Sequence, residues 1–183
     1  MPINNYAFID GNNLHLTFVG LGVQLKYDKL LAYLRKRHNV TAAYYFIGRI
    51  SQNQHIYDTL TSYGYTLKFR DVTKKGGKSV TCPACGKSFE IDKGKTKCDC
   101  DADLVLQVMN EIKNYDKAII ITSDGDFDNL VKKLISLDKL DMVLAPSQIG
   151  CSHLLNSAAL GRIAFLDKLI GEIEKYCGRT LWD

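Results

Sequence analysis

The chain has 183 residues, 46% of them hydrophobic and 24% charged, with a net charge of +4. That length admits one domain with a sizeable core and a small insertion. No run approaches the ~20 apolar residues of a membrane helix, and the opening MPINNYAFIDGNN lacks the charged lead and apolar stretch of a signal peptide, so a cytoplasmic protein with reduced cysteines and no membrane partner is expected.

Tyr6 to Ile9 is a short apolar run that stops on Asp10-Gly11-Asn12-Asn13, the pattern of a strand ending in turn residues. His15 to Lys26 reads as a loop, and Leu30, Leu31 and Leu34 with Arg35 to Arg37 as a first helix. Val40 to Ile47 is a second strand, Gln54 to Tyr63 a helix, and Tyr65 to Phe69 a third strand whose partial alternation suits a sheet edge. After an interruption from Val72 to Cys100, the alternation resumes. Asp101 to Tyr115 is a periodic helix, Lys117 to Thr122 a strand buried on both faces, Phe127 to Leu137 a helix and Asp141 to Ala145 a fifth strand. Ser152 to Tyr176 reads as one or two helices, with Arg162 to Leu166 as a candidate extra strand. Strands alternating with helices predict an α/β fold, a parallel sheet flanked by helices.

The interruption carries its own chemistry. Between Lys74 and Lys97 seven lysines stand against Glu90 and Asp92, a local +5, so the remainder of the chain sums to −1. Lys74, Lys75, Lys78, Lys87 and Lys95 are therefore candidate contacts to a polyanion, the alternative being a solvated lysine-rich loop. Cys82-Pro-Ala-Cys85, twelve residues from Gly86 to Lys97, then Cys98-Asp99-Cys100 form CxxC-x12-CxC, the spacing of a tetrahedral four-cysteine zinc ribbon, which the CPxCG turn strengthens. With all four positions cysteine, the zinc is expected to be structural. A redox CxxC and buried thiols are the competing readings, while Cys151 and Cys177 have no close partners and read as core.

The second candidate site is acidic. At about 100° per residue, Leu104, Val105, Val108, Met109 and Ile112 fall within about 80° of Asp101, whereas Asp103 falls near 200°. Asp101 thus heads the core-facing stripe, at some cost unless something stabilises it. Asp124 and Asp126 follow the buried strand immediately in Thr122-Ser-Asp-Gly-Asp-Phe127, and Asp10 ends the first strand in the same way. Each alone reads equally as a turn or helix cap. Together they converge on the carboxyl rim of a parallel sheet, where open α/β folds keep their ligands. Two carboxylates ~4 Å apart repel by about 4 kcal/mol at an effective dielectric near 20. Such a group calls for a cation, and few carboxylates plus waters suit Mg²⁺ or Mn²⁺. Phosphodiester hydrolysis is the natural chemistry, with Asp10, Asp101 and Asp124 as ligands, Asp126 as a water-mediated ligand or base, and Asn12 as a polar positioner.

FIDGNNLHLTF, CDADLVLQVMNEI and IIITSDGDFDNLVKKL, in that order, closely resemble the NYN domain family, LabA-like members of the PIN-like nuclease superfamily. The resemblance spans about residues 5 to 167 and implies a Rossmann-like sheet and a metal-dependent ribonuclease site matching Asp10, Asp101, Asp124 and Asp126. Asn12 or Asn13 would fill the family's asparagine position. Where the family commonly has a Lys-Gly-Val-Asp-like approach to the helical acid, this chain has Lys97-Cys98-Asp99-Cys100-Asp101, which leaves Asp99, Asp101 and Asp103 as contenders; the angular argument selects Asp101. The expectation is a single domain over 1–183 with a zinc ribbon at 72–100, acting as an endoribonuclease on single-stranded RNA. Tyr44, Tyr45, Tyr63 or Phe89 would stack on bases if exposed. The competing reading is a non-catalytic RNA- or protein-binding adaptor, and a DNA nuclease differs from the first only in substrate.

Overall fold

The computed structural model describes residues 3–75, 78–92, 95–97 and 100–176. Six strands, β1 (Asn5–Asp10), β2 (Val40–Arg49), β3 (Thr66–Asp71), β8 (Ala118–Ile121), β9 (Leu140–Ala145) and β10 (Ile163–Phe165), form one sheet. All of its pairings are parallel, in the order β10-β9-β8-β1-β2-β3. The candidate strand at Arg162 to Leu166 is therefore real and sits at one edge, and β3 is the other edge, as its alternation predicted.

Alternation of side chains across the central strands divides the core in two. Ala7, Ile9, Ile119 and Ile121 face one layer, where they meet Leu14 and Phe18 of α1 (Gly11–Gly20), Leu30, Leu31 and Leu34 of α2 (Tyr27–His38), Leu60 of α3 (Gln54–Tyr63), and Leu166 and Ile173 of α7 (Leu166–Ile173). Phe8 and Ile120 face the other, against Leu104 and Val108 of α4 (Asp101–Asn110), Leu130, Val131 and Leu134 of α5 (Asp128–Ser136), and Leu155 of α6 (His153–Ala158). Truncating a fully buried Phe8 to alanine would cost about 3–5 kcal/mol. Among the described residues no helix is long and apolar enough to cross a membrane.

Two expectations are corrected. The segment read as a loop from His15 begins with a helix, α1, whose N-cap is Asp10; the Asp10 carboxylate accepts the Asn13 N–H at 3.0 Å. The helix expected over Asp101 to Tyr115 ends at Asn110 and gives way to turns, and Tyr115 folds back so that its hydroxyl donates to the Val108 carbonyl at 3.0 Å.

Among the described residues the interruption adds no strand to the main sheet. β4 (Thr73–Lys75) pairs antiparallel with β7 (Lys95–Lys97), and β5 (Lys78–Thr81) pairs antiparallel with β6 (Ser88–Asp92). Strand order places the site. From β1 the chain moves outward through β2 to β3, then returns after the interruption to the opposite side of β1 as β8. The direction reverses between β1 and β8, and the crevice beyond their carboxyl ends is where a ligand enters such a sheet.

Candidate metal centre at the sheet's switch point

Both strands flanking that crevice end in acids. Asp10 closes β1, and Asp124 lies three residues beyond Ile121 at the end of β8. Asp10 is buried, 8% exposed. One of its oxygens takes the Asn13 N–H; the other accepts from the Thr122 hydroxyl at 3.2 Å. Burial pushes its carboxyl above the usual range, more than these hydrogen bonds draw it down, and the nearby Asp124 charge pushes the same way.

The turn after β8 is fixed from two sides. Asn13 presents its side-chain carbonyl to the Ser123 N–H at 2.9 Å and to the Ser123 hydroxyl at 2.8 Å, tying α1 to the loop that carries Asp124. Asp124 caps the short 3-10 turn Gly125–Phe127, its carboxylate accepting the Asp126 N–H at 3.1 Å. Gly125 packs closely enough on Ser152 that a β-carbon there would lie 2.5 Å from the serine Oγ.

Asp101, the first residue of α4, reaches the same place. Carboxylate oxygens of Asp101, Asp124 and Asp126 lie within 4.8 Å of one another, the one group among the described residues able to hold a metal ion. Asp10 stands beside this group. Caps explain Asp10 and Asp124 singly but not the cluster: a helix start offsets about 0.3–1 kcal/mol of negative charge, whereas each pair at this spacing repels by about 3 kcal/mol at a dielectric near 20. An oxygen-only donor set fits a hard divalent cation.

Asp103 is occupied elsewhere. Both its oxygens accept from the Arg70 guanidinium, at 2.9 and 3.0 Å, bridging α4 to the end of β3. Asp128 pairs with Lys132 one turn along α5 at 2.6 Å. Asp101, and not Asp103, thus stands in the acidic group, and Asp99 lies outside the described residues.

Asn12 is exposed, and the side chain that joins the acid-bearing loops is Asn13's. The family resemblance leaves Asn12 and Asn13 open for the asparagine position, while residue types alone name Asn12 and give no role to the Thr122 hydroxyl. Recognising Asp10 as an N-cap would have placed Asn13 in the first helical turn. Tyr45 is buried, and Tyr44 half-buried, which removes Tyr45 from the candidate exposed stacking residues; the Phe89 side chain lies outside the described part.

These motifs, in this order and on this rim, match the family model described as "NYN domain" over residues 6–160. The chain belongs to the NYN domain family. NYN and other PIN-like domains are typically nucleases. A curated relative, "Low amplitude and bright protein LabA" of Synechococcus elongatus, is 25% identical over 137 residues, 73% of this NYN chain and 68% of the relative. Among solved structures, a protein of unknown function from Vibrio parahaemolyticus superposes with a TM-score of 0.69 at 15% identity, covering 91% of this chain and 94% of that one, and so shares the fold.

Part of the cysteine segment falls within the described residues. The backbone turns sharply from Cys82 to Gly86, with the Gly86 N–H donating to the Cys82 carbonyl at 2.9 Å and Gly86 in the left-handed region at φ +68°. Backbone N–H groups of Ala84 and Cys85, with the Cys85 side chain, draw the Cys82 thiol below its ordinary pKa. Cys100 is buried in the core layer that contains Leu104, and among the described residues it forms no metal-binding group with Cys82 and Cys85. Cys98 lies outside the described residues. Lys87 is exposed; Lys74, Lys75, Lys78 and Lys95 lie on β4, β5 and β7, with side chains outside the described part.

Proposed function

We propose that this NYN chain is a metal-dependent endoribonuclease. The observation that carries the reading is the meeting of Asp101, Asp124 and Asp126 within 4.8 Å at the switch point, beside the buried Asp10. Asp101 and Asp124 would hold Mg²⁺ or Mn²⁺, with Asp10 completing the negative wall. When bound, such an ion supplies charge neutralisation on the phosphate and a water of lowered pKa. Asp126, exposed at the rim, would hold the ion through water or accept a proton from the attacking water. Asn13 and Thr122 keep the acid-bearing loops in register.

RNA is the proposed substrate because NYN nuclease domains are generally RNA-acting, and an unpaired strand because sequence-blind grooves combine cations with stacking rings. The lysines at 74, 75, 78, 87 and 95 would supply the cations, giving binding a steep salt dependence. We place the protein in the cytoplasm, as one domain with residues 72–100 as an insertion holding structural zinc on Cys82, Cys85, Cys98 and Cys100. Support for the first pair is the N–H-lined turn that favours thiolate at Cys82; the second pair rests on its spacing. Mass spectrometry of the purified protein should find one zinc, lost in Cys85→Ser; unchanged zinc content in that variant would remove the ribbon.

Labelled single-stranded RNA incubated with Mn²⁺ should be cut by the wild-type protein and spared by Asp124→Asn. Equal cleavage by both would mean the activity belongs to a contaminant, and the assignment would fall.

A further inference from the structure

Next to the acid group, on the β1-β2-β3 half of the rim, lies a cavity of about 450 Å³. It begins at Gly11, the residue after Asp10, and its volume is within the range of about 300–1,000 Å³ that proteins use for small-molecule groups. Its lining includes Asn12, His15, Tyr27, Asn53 and Ile56, with the ring of Tyr45, itself buried, packed against Tyr27. No lysine, arginine, aspartate or glutamate lines it among the described residues, in contrast to the acidic group alongside.

The aromatic wall is built in place. Tyr27 and Tyr45 meet edge to face, centroids 5.9 Å apart at 77°, and the Tyr45 hydroxyl donates to the Gly11 carbonyl at 3.3 Å. A β-carbon at Gly11 would lie 2.2 Å from the Tyr45 ring, so glycine is required for this packing. An anion finds no lysine or arginine here, and a cation finds no carboxylate. A flat, neutral ligand with donors and acceptors on its edge finds the Tyr27 ring held in place by Tyr45, an aliphatic side chain and two residues with amide side chains.

We propose that the cavity holds one unpaired nucleobase of the strand whose phosphate lies at the acid group. This rests on the endoribonuclease reading for the position of the phosphate and deepens it. A base still paired in a duplex keeps its edge engaged and its faces stacked, so the site selects a base turned out of the strand. The three consecutive residues Asp10, Gly11 and Asn12 span from acid to cavity, which couples base capture to the position of the backbone.

The test measures binding apart from cutting. Tetraribonucleotides with an abasic residue at each position in turn are titrated against Asp124→Asn protein, following the fluorescence of a terminal dye. One position should be sensitive, the abasic strand binding roughly 10-fold more weakly than its parent. In the same background Ile56→Trp, which fills the cavity, and Asn53→Ala, which removes an amide, should weaken the parent strand by a similar factor and leave that abasic strand unchanged. Asn53→Ala carries the test if the larger substitution impairs folding. Equal affinity of both variants for the parent strand would overturn the proposal, even with wild-type cleavage intact. Base-dependent binding without any cleavage by the wild type would uphold the cavity while the nuclease reading failed.

Discussion

Neutralising one acid of the central group should stabilise the protein when no divalent ion is present. Asp124→Asn is the best substitution, because an asparagine oxygen can still accept the Asp126 N–H that Asp124 accepts at 3.1 Å. What disappears is a charge facing two others within 4.8 Å. At that separation each pair repels by about 3 kcal/mol at an effective dielectric of 20 and by about 0.9 kcal/mol in water. Asp126 is exposed, which places the total toward the lower limit, and the helix start returns part of it. A net gain of about 2 kcal/mol follows, or about 4–8 °C in Tm for a chain of this size. Differential scanning fluorimetry in EDTA should show that rise. Added Mg²⁺ or Mn²⁺ at about 100 times its Kd should stabilise the wild type by about 2.7 kcal/mol and the variant far less, closing or reversing the gap. A wild type whose Tm ignores both chelator and divalent ions, with Asp124→Asn no more stable, would refute the reasoning.

Asp103→Asn is the matching control: it should keep the ion-dependent Tm shift and lose less than about 1 kcal/mol, since it breaks only an exposed pair with Arg70; loss of the shift on isothermal or thermal titration would make Asp103 a ligand. Asp10 has a carboxyl pKa raised chiefly by burial, so the folded state holds its proton more tightly than the unfolded chain and stability falls as pH rises from the unfolded value through the folded one. In EDTA, Asp10→Asn should therefore match the wild type below about pH 3.9 and exceed it by an amount that grows until pH passes the folded value and is constant above it; urea unfolding that showed the same difference below about pH 3.9 as at neutral pH would contradict this. Gly11→Ala should destabilise by at least about 1–3 kcal/mol, as its β-carbon would fall 2.2 Å from the Tyr45 ring and 2.6 Å from the Phe46 carbonyl oxygen; an unchanged urea midpoint would show that the ring gives way freely.

The elements most legible in the sequence are those buried on both faces. Ala118 to Ile121 is a continuous apolar run because parallel strands covered by helices leave no polar side, and the acids after it break that run sharply. α1 was illegible for the opposite reason. Leu14 and Phe18 point inward while Leu16 and Val19 are 59% and 61% exposed, so apolar residues circle the helix without forming a stripe. Missing α1 also left Asn13 undistinguished from Asn12, since its role depends on a turn of helix bringing its amide to Ser123. Asp101 was legible because its angle to the Leu104 and Val108 face requires only the helical period. That Asp126 joins Asp101 and Asp124 in the tight group, with Asp10 alongside, depends on the 3-10 turn at Gly125, which no periodicity announces.

The Arg70–Asp103 ion pair and the pairing of Thr73 with Lys97 join the chain where it departs from the sheet to where it comes back. With those ends already neighbours, each doubling of the intervening length adds only about 0.6 kcal/mol of closure entropy. The hairpins are thus a cassette on a closed neck. Their length can change at small entropic cost while the host sheet keeps the same two anchor points.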